Sequence, residues 1–117
     1  MAIRKLTRLE DLDDVLALSA ERPVWLFKHS VTCGISARAH GEYQRYVEER
    51  GEDAELFTLL EVQNARPLSN EIAARFGIQH ESPQAILVKD GQPVWNASHN
   101  KIVVASLAAA APASAGS

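Results

Sequence analysis

Residues Val24-Trp25-Leu26-Phe27-Lys28 form a short, largely apolar run of mostly β-favouring residues. A strand with one wet face alternates apolar and polar side chains. A run without that alternation belongs to a strand covered on both faces. The chain then changes period. Ile35, Ala39, Tyr43, Tyr46 and Val47 recur at helical spacing over residues 34–50, and Gly51 is a natural stop. A doubly covered strand followed by an amphipathic helix points to the α/β class.

The rest of the chain repeats this alternation. Ile3 to Leu6 reads as a short first strand. Leu9, Leu12, Val15 and Leu16 share one face of a helix over about residues 8–19, with Asp11, Asp13 and Asp14 opposite, and Glu21-Arg22-Pro23 ends it. Glu55 to Val62 is a third strand. Pro67 suits a first helical turn, Leu68, Ile72, Ala73 and Phe76 give that helix its face, and Gly77 closes it. Ala85 to Val88 is a fourth strand, Asp90-Gly91 a hairpin turn, and Val94 to Ala97 the antiparallel return. Asn100 is the expected cap of a last helix carrying Ile102, Val103 and Leu107. Residues 108–117 contain only Ala, Pro, Ser and Gly and are expected to be a frayed helix end and a disordered tail, leaving residues 1–107 as one domain. The order β-α-β-α-β-α-β-β-α predicts a central mixed sheet flanked by helices.

With 117 residues and a net charge of -3, the chain offers no electrostatic case for nucleic acid or an anionic membrane. No apolar run approaches the roughly 20 residues of a membrane-spanning helix. The first residues are basic but lack the apolar stretch of a secretory signal. Together with a single cysteine, this leads us to expect a cytoplasmic protein.

That cysteine, Cys33, lies between the second strand and the second helix. Backbone N–H groups at a helix start have no intrahelical acceptor and carry the positive end of the helix dipole. Such a setting favours thiolate over thiol, whose free pKa is about 8.5. Gly34, Ile35 and Ser36 supply the N–H groups. The Ser36 hydroxyl, one turn on, either faces the sulfur or is an ordinary first-turn serine; Thr32 either bounds the site or bonds its own turn. Lys28, His29, Arg38 and His40 are near in sequence and either add positive field or are ordinary surface residues. Tyr43, Tyr46, Trp25 and Trp95 read as packing residues. Four scattered histidines and one cysteine form no metal-ligand pattern, and His99 has no assigned role. One thiol closes no internal disulfide, so a redox partner sulfur must come from another molecule.

A thiol after the second strand and a Pro heading a later strand, about fifty residues on at Pro83, make the pattern thioredoxin-like. More narrowly, Lys28-His29-Ser30-Val31-Thr32-Cys33-Gly34-Ile35-Ser36-Ala37 resembles the active-site segment of the YtxJ-type monothiol bacilliredoxins, whose motif is T-C-P-I-S after a K-H-S strand end. Arg66-Pro67-Leu68-Ser69-Asn70, the segment from His80 to Gly91, and Trp95-Asn96-Ala97-Ser98-His99 are similar to that family too. The resemblance spans about residues 3–107. It implies a thioredoxin fold and removal of bacillithiol, a low-molecular-weight thiol, from protein mixed disulfides. Cys33 would be the nucleophile, bacillithiol the co-substrate with no tightly bound cofactor, and bacillithiolated proteins the partners; a monomer is the default expectation, not part of the resemblance. It further implies a cis bond at Ser82–Pro83, with the Ser82 backbone free to pair with an extended substrate segment. Gly34 departs from the family's usual Pro, adding a backbone donor in a looser turn.

Two other classes remain open from the sequence. Cys33-Gly34-Ile35-Ser36 differs by one residue from the C-G-F-S of monothiol glutaredoxins, which carry a [2Fe–2S] cluster. Against this, Glu81-Ser82-Pro83 replaces their T-V-P segment and their later G-G-x-D turn is absent. The third class is a non-catalytic thioredoxin-like binding or stress protein in which Cys33 is incidental.

Overall fold

A computed structural model describes residues 3–51 and 55–111. The elements are β1 (Ile3–Lys5), α1 (Leu9–Leu18), β2 (Val24–His29), α2 (Gly34–Arg50), β3 (Leu56–Glu61), α3 (Arg66–Phe76), β4 (Gln84–Lys89), β5 (Gln92–Ser98), a short 3-10 turn (His99–Lys101) and α4 (Val104–Ala110). They form one five-stranded sheet in the order β1-β3-β2-β4-β5. β3 runs parallel to both β1 and β2, while β4 pairs antiparallel with β2 and β5. The expected element order is thus present, with the 3-10 turn added.

The continuous apolar run in β2 has a direct cause. Val24 and Leu26 enter one core with Leu12 and Val15 of α1 and Leu68 and Ile72 of α3. Trp25 and Phe27 enter a second core with Ala39, Tyr43, Tyr46 and Val47 of α2 and Leu107 of α4. Both faces of the strand are buried, so neither can be polar. β3 and β4 divide their side chains the same way: Leu56, Leu60, Ile86 and Val88 on the first face, Phe57, Leu59, Ala85 and Leu87 on the second.

The hairpin turn puts Asp90 and Gly91 both at positive φ, 54° and 76°, as a two-residue turn requires. Its tip is tied to the end of α1: Asp90 N–H donates to the Ser19 carbonyl at 2.8 Å and Gly91 N–H to Ser19 Oγ at 2.7 Å.

Two sequence expectations are corrected. Ile35 is 46% exposed, whereas Ser36 is fully buried. The buried stripe of α2 therefore runs Ser36, Ala39, Tyr43, Tyr46, Val47, and starts on a polar residue. Asn100 does not cap the last helix, because it lies inside the 3-10 turn. Val103 is the N-cap instead, and its N–H donates to Ser106 Oγ at 3.2 Å. Ile102 is buried but lies before the helix. Residues 112–117, most of the expected tail, lie outside the described residues. No helix among the described residues is long and apolar enough to cross a membrane.

Candidate functional site

β2 ends at His29, and α2 begins at Gly34 with Cys33 as its N-cap. Cys33 has extended backbone, φ -108° and ψ 128°, and its carbonyl accepts the first helical bond from Ala37 N–H at 3.0 Å. The N–H groups of Gly34, Ile35 and Ser36 then lie in the first turn, where α-helical geometry offers them no acceptor. Cys33 is partly exposed and makes no side-chain capping bond. Val31 and Ile35, 47% and 46% exposed, are apolar flanks on either side of it.

Ser36 is committed elsewhere than the sulfur. Its Oγ accepts Ser30 N–H at 2.8 Å and lies 2.8 Å from His29 Nδ1. A buried hydroxyl with one lone pair so used is best satisfied by donating its proton to Nδ1, which requires a neutral imidazole. The electrostatics agree. Burial, then the neighbouring His40, lower the His29 pKa, and burial lowers that of His40, while Glu61 opposes both shifts more weakly. The two rings lie 4.6 Å apart. Neither histidine therefore adds positive charge near neutral pH. Arg38 is exposed.

Lys28 is not a surface residue. It is fully buried on the α1/α3 side, where Nζ donates to the Ser69 carbonyl at 3.1 Å and lies 3.2 Å from His80 Nδ1. Burial pulls its pKa down to about 8. His80 also lies 3.2 Å from Ser69 Oγ, and burial followed by the Lys28 charge lowers its pKa.

Gln63, in the connection after β3, went unnoticed in the sequence. It holds three consecutive residues of the Cys33 loop: Oε1 accepts Val31 N–H at 3.1 Å, and Nε2 donates to Ser30 Oγ at 2.8 Å and Thr32 Oγ1 at 3.2 Å. A polar residue in a polar loop, more than thirty positions from its partners, carries no sequence signal. The burial of Lys28 did carry one, since a period of two places it on the face of Val24 and Leu26.

The Ser82–Pro83 bond is cis, as the family resemblance implied. Ser82 Oγ and Gln84 Oε1, on either side of Pro83, are buried without a hydrogen-bond partner among the described residues. Gln84 faces Lys28 on β2 and Ser98 on β5, so the cis-proline segment and the end of β5 share the Cys33 end of the sheet. His99 follows there, at φ 56°. Its N–H donates to the Pro83 carbonyl at 3.0 Å, and its Nε2 lies 3.2 Å from Glu81 Oε1. Among the described residues, no three His, Cys, Asp or Glu side chains are grouped to hold a metal ion.

Residues 4–107 match the family profile described as monothiol bacilliredoxin BrxC. A solved chain described as a candidate oxidoreductase with a thioredoxin fold is 38% identical, with a TM-score of 0.83 and 93% of each chain covered. More distant structures share the fold alone. Thioredoxin from Malassezia sympodialis (Mala s 13) has a TM-score of 0.75 at 14% identity, covering 92% of this chain and 86% of that one. Fasciola hepatica thioredoxin has a TM-score of 0.66 at 21% identity, covering 82% and 86%. The fold is thus thioredoxin-like, and fold and family together make the protein a thiol–disulfide oxidoreductase. A profile matched over nearly the whole chain leaves no doubt of kinship: this chain belongs to the monothiol bacilliredoxin BrxC family.

Proposed function

We propose that this protein removes bacillithiol from mixed disulfides on other proteins, with Cys33 as the nucleophile. The observation that carries the reading is the pairing of positions 33 and 36. A partly exposed thiol heads α2. One turn on, where a dithiol protein has its second sulfur, stands a buried serine hydroxyl held by His29 and Ser30. Any sulfur joined to Cys33 stays there until another molecule displaces it.

In the first step the Cys33 thiolate attacks the bacillithiol sulfur of the modified protein. The disulfide between that protein and bacillithiol breaks, a new one forms between bacillithiol and Cys33, and the client cysteine leaves as thiolate. In the second step a free bacillithiol thiolate attacks the bacillithiol sulfur bound to Cys33. Bacillithiol disulfide is released and the Cys33 thiolate returns. Each step exchanges one disulfide for another; over the cycle the client cysteine is reduced and the second bacillithiol, the reductant, ends in bacillithiol disulfide.

The first-turn N–H groups of Gly34, Ile35 and Ser36, to which helix geometry gives no intrahelical acceptor, support a negative sulfur. Thr32, held by Gln63, fixes the approach to the loop. The Ser82 backbone, just before cis-Pro83, is where an extended client segment pairs. The protein acts as a cytoplasmic monomer, with bacillithiol as co-substrate and no tightly bound cofactor.

The test is adduct transfer followed by intact mass. Reduced protein is mixed with a bacillithiol-modified client, with Cys33→Ser as control. The expected result is movement of the bacillithiol mass onto the wild type and none onto the variant. A wild type that stays unmodified while its Cys33 is readily alkylated overturns the reading.

A further inference from the structure

We infer that the open pocket beside the cis-proline loop is a subsite for the polar body of the small thiol. It would select a hydroxylated amine bearing carboxylates over an uncharged alkyl thiol. The inference rests on the function proposed above and assigns the recognition that Cys33 itself does not supply.

The pocket holds about 290 Å³ and is lined by Glu81, Asn96, Ala97, Ser98, His99 and Lys101. Its position follows from the sheet register. Ser98 is opposite Gln84, which is opposite Lys28, so the pocket opens at the end of the sheet where β2 gives way to the Cys33 loop. The turn that forms one wall leads into α4, whose Val104 N–H donates to Glu42 at the midpoint of α2 at 2.9 Å. This wall is therefore anchored to the helix that Cys33 heads.

His99 joins the two walls. Its positive φ of 56° is a conformation that non-glycine residues adopt rarely, and one that gathers at binding sites. In that conformation its N–H reaches the Pro83 carbonyl and its Nε2 reaches Glu81. The side chains of Asn96, Ser98 and Lys101, by contrast, make no hydrogen bond or ion pair among the described residues. The pocket thus offers one free ammonium, one carboxylate, one amide and one hydroxyl, around a single small apolar contact, Ala97. Lys101 suits a carboxylate, Glu81 an ammonium group, and Asn96 and Ser98 suit hydroxyls. The volume lies just below the range typical of small-molecule pockets, about 300–1,000 Å³, and suits a polar fragment rather than a folded client surface. Bacillithiol, an amino-sugar conjugate of cysteine and malate, has this set of groups.

Lys101→Glu is the variant of choice, because Lys101 is exposed and bonds nothing among the described residues. The readout is a ratio: the rate of Cys33 reaction with bacillithiol disulfide over that with bis(2-hydroxyethyl) disulfide, which has no charge. Wild type is expected to favour bacillithiol disulfide, and Lys101→Glu to lower the ratio about five- to tenfold. In parallel, thiol-free glucosaminyl malate is titrated into the ¹⁵N-labelled protein. Saturable amide shifts at Asn96, Ala97, Ser98 and Lys101 are expected, and these weaken in the variant. An unchanged ratio in the variant, or shifts that fall elsewhere, overturns the subsite even where wild type accepts bacillithiol from a client. A wild type that neither accepts that adduct nor favours bacillithiol disulfide overturns the proposed function together with the subsite.

Discussion

At the scale of single residues, Lys28 shows the constraint that one strand end places on its neighbours. It occupies the place of a third inward residue after Val24 and Leu26, and the Ser69 carbonyl and His80 Nδ1 make an ammonium group tolerable there. Its proton is held less tightly in the folded protein, with a pKa of about 8, than at the ordinary 10.5 of an open chain. Between those values the unfolded chain binds more protons, so the Lys28 contribution to stability rises with pH. The tyrosines act in the opposite direction. Tyr43 and Tyr46 are held above their ordinary value of 10 by burial, so their contribution falls only as pH rises past 10. We therefore expect the stability of wild type relative to Lys28→Met to increase from pH 8 to pH 10. The slope should stay below about 1.4 kcal/mol per pH unit, the limit for one proton. Urea unfolding of both proteins at several pH values checks this. A gap that is flat or falls across that window would mean that Lys28 keeps its proton in the folded protein as firmly as in the open chain.

Among the elements, α2 combines legible and hidden features. Its length, its stop at Gly51 and its packing residues Ala39, Tyr43, Tyr46 and Val47 follow from apolar spacing. Its first turn does not. Ile35 fits the apolar pattern but faces outward, because the buried place goes to Ser36, whose hydroxyl satisfies His29 and Ser30 N–H. Polar contacts of this kind depend on which loops meet in space, and spacing along the chain does not encode that. The same holds for Gln63. The strands were readable because burial acts locally, whereas the cis bond at Ser82–Pro83 came from the family resemblance and not from any local signal. Gly34 gives a direct test at this scale. It is the first residue of α2, a Cβ built on it meets nothing within 4 Å, and Cys33 already has the extended backbone that proline demands of its predecessor. Gly34→Pro should raise stability by about 0.4–1 kcal/mol, chiefly by restricting the unfolded chain. The urea midpoint should rise with an unchanged m-value; a lower midpoint would show that the turn needs glycine.

In the whole molecule, the sheet separates an anchored end from the end that carries Cys33. At the end away from Cys33, buried Glu55 accepts Trp25 Nε1 at 2.6 Å, Tyr46 OH at 2.8 Å and Arg50 Nε at 2.6 Å, and pairs with the Arg50 guanidinium again through Nη2. Glu55→Ala would leave two buried donors without an acceptor and an arginine without its partner. It should cost about 3–5 kcal/mol, read from thermal or urea unfolding. The alkylation rate of Cys33 in the folded variant should match wild type, because among the described residues the two ends share no hydrogen bond; a changed rate would show that the ends are coupled. The serine at position 36 has a last consequence, for concentration. A dithiol protein carries both sulfurs of its disulfide, so its redox balance ignores dilution. With one thiol, every disulfide this chain forms joins two molecules, and mass action sets how much of it exists. A tenfold change in the free partner thiol moves the apparent potential of a two-electron couple by about 30 mV. Under the function proposed above, the protein would respond to how much small thiol is present as well as to how oxidised that thiol is.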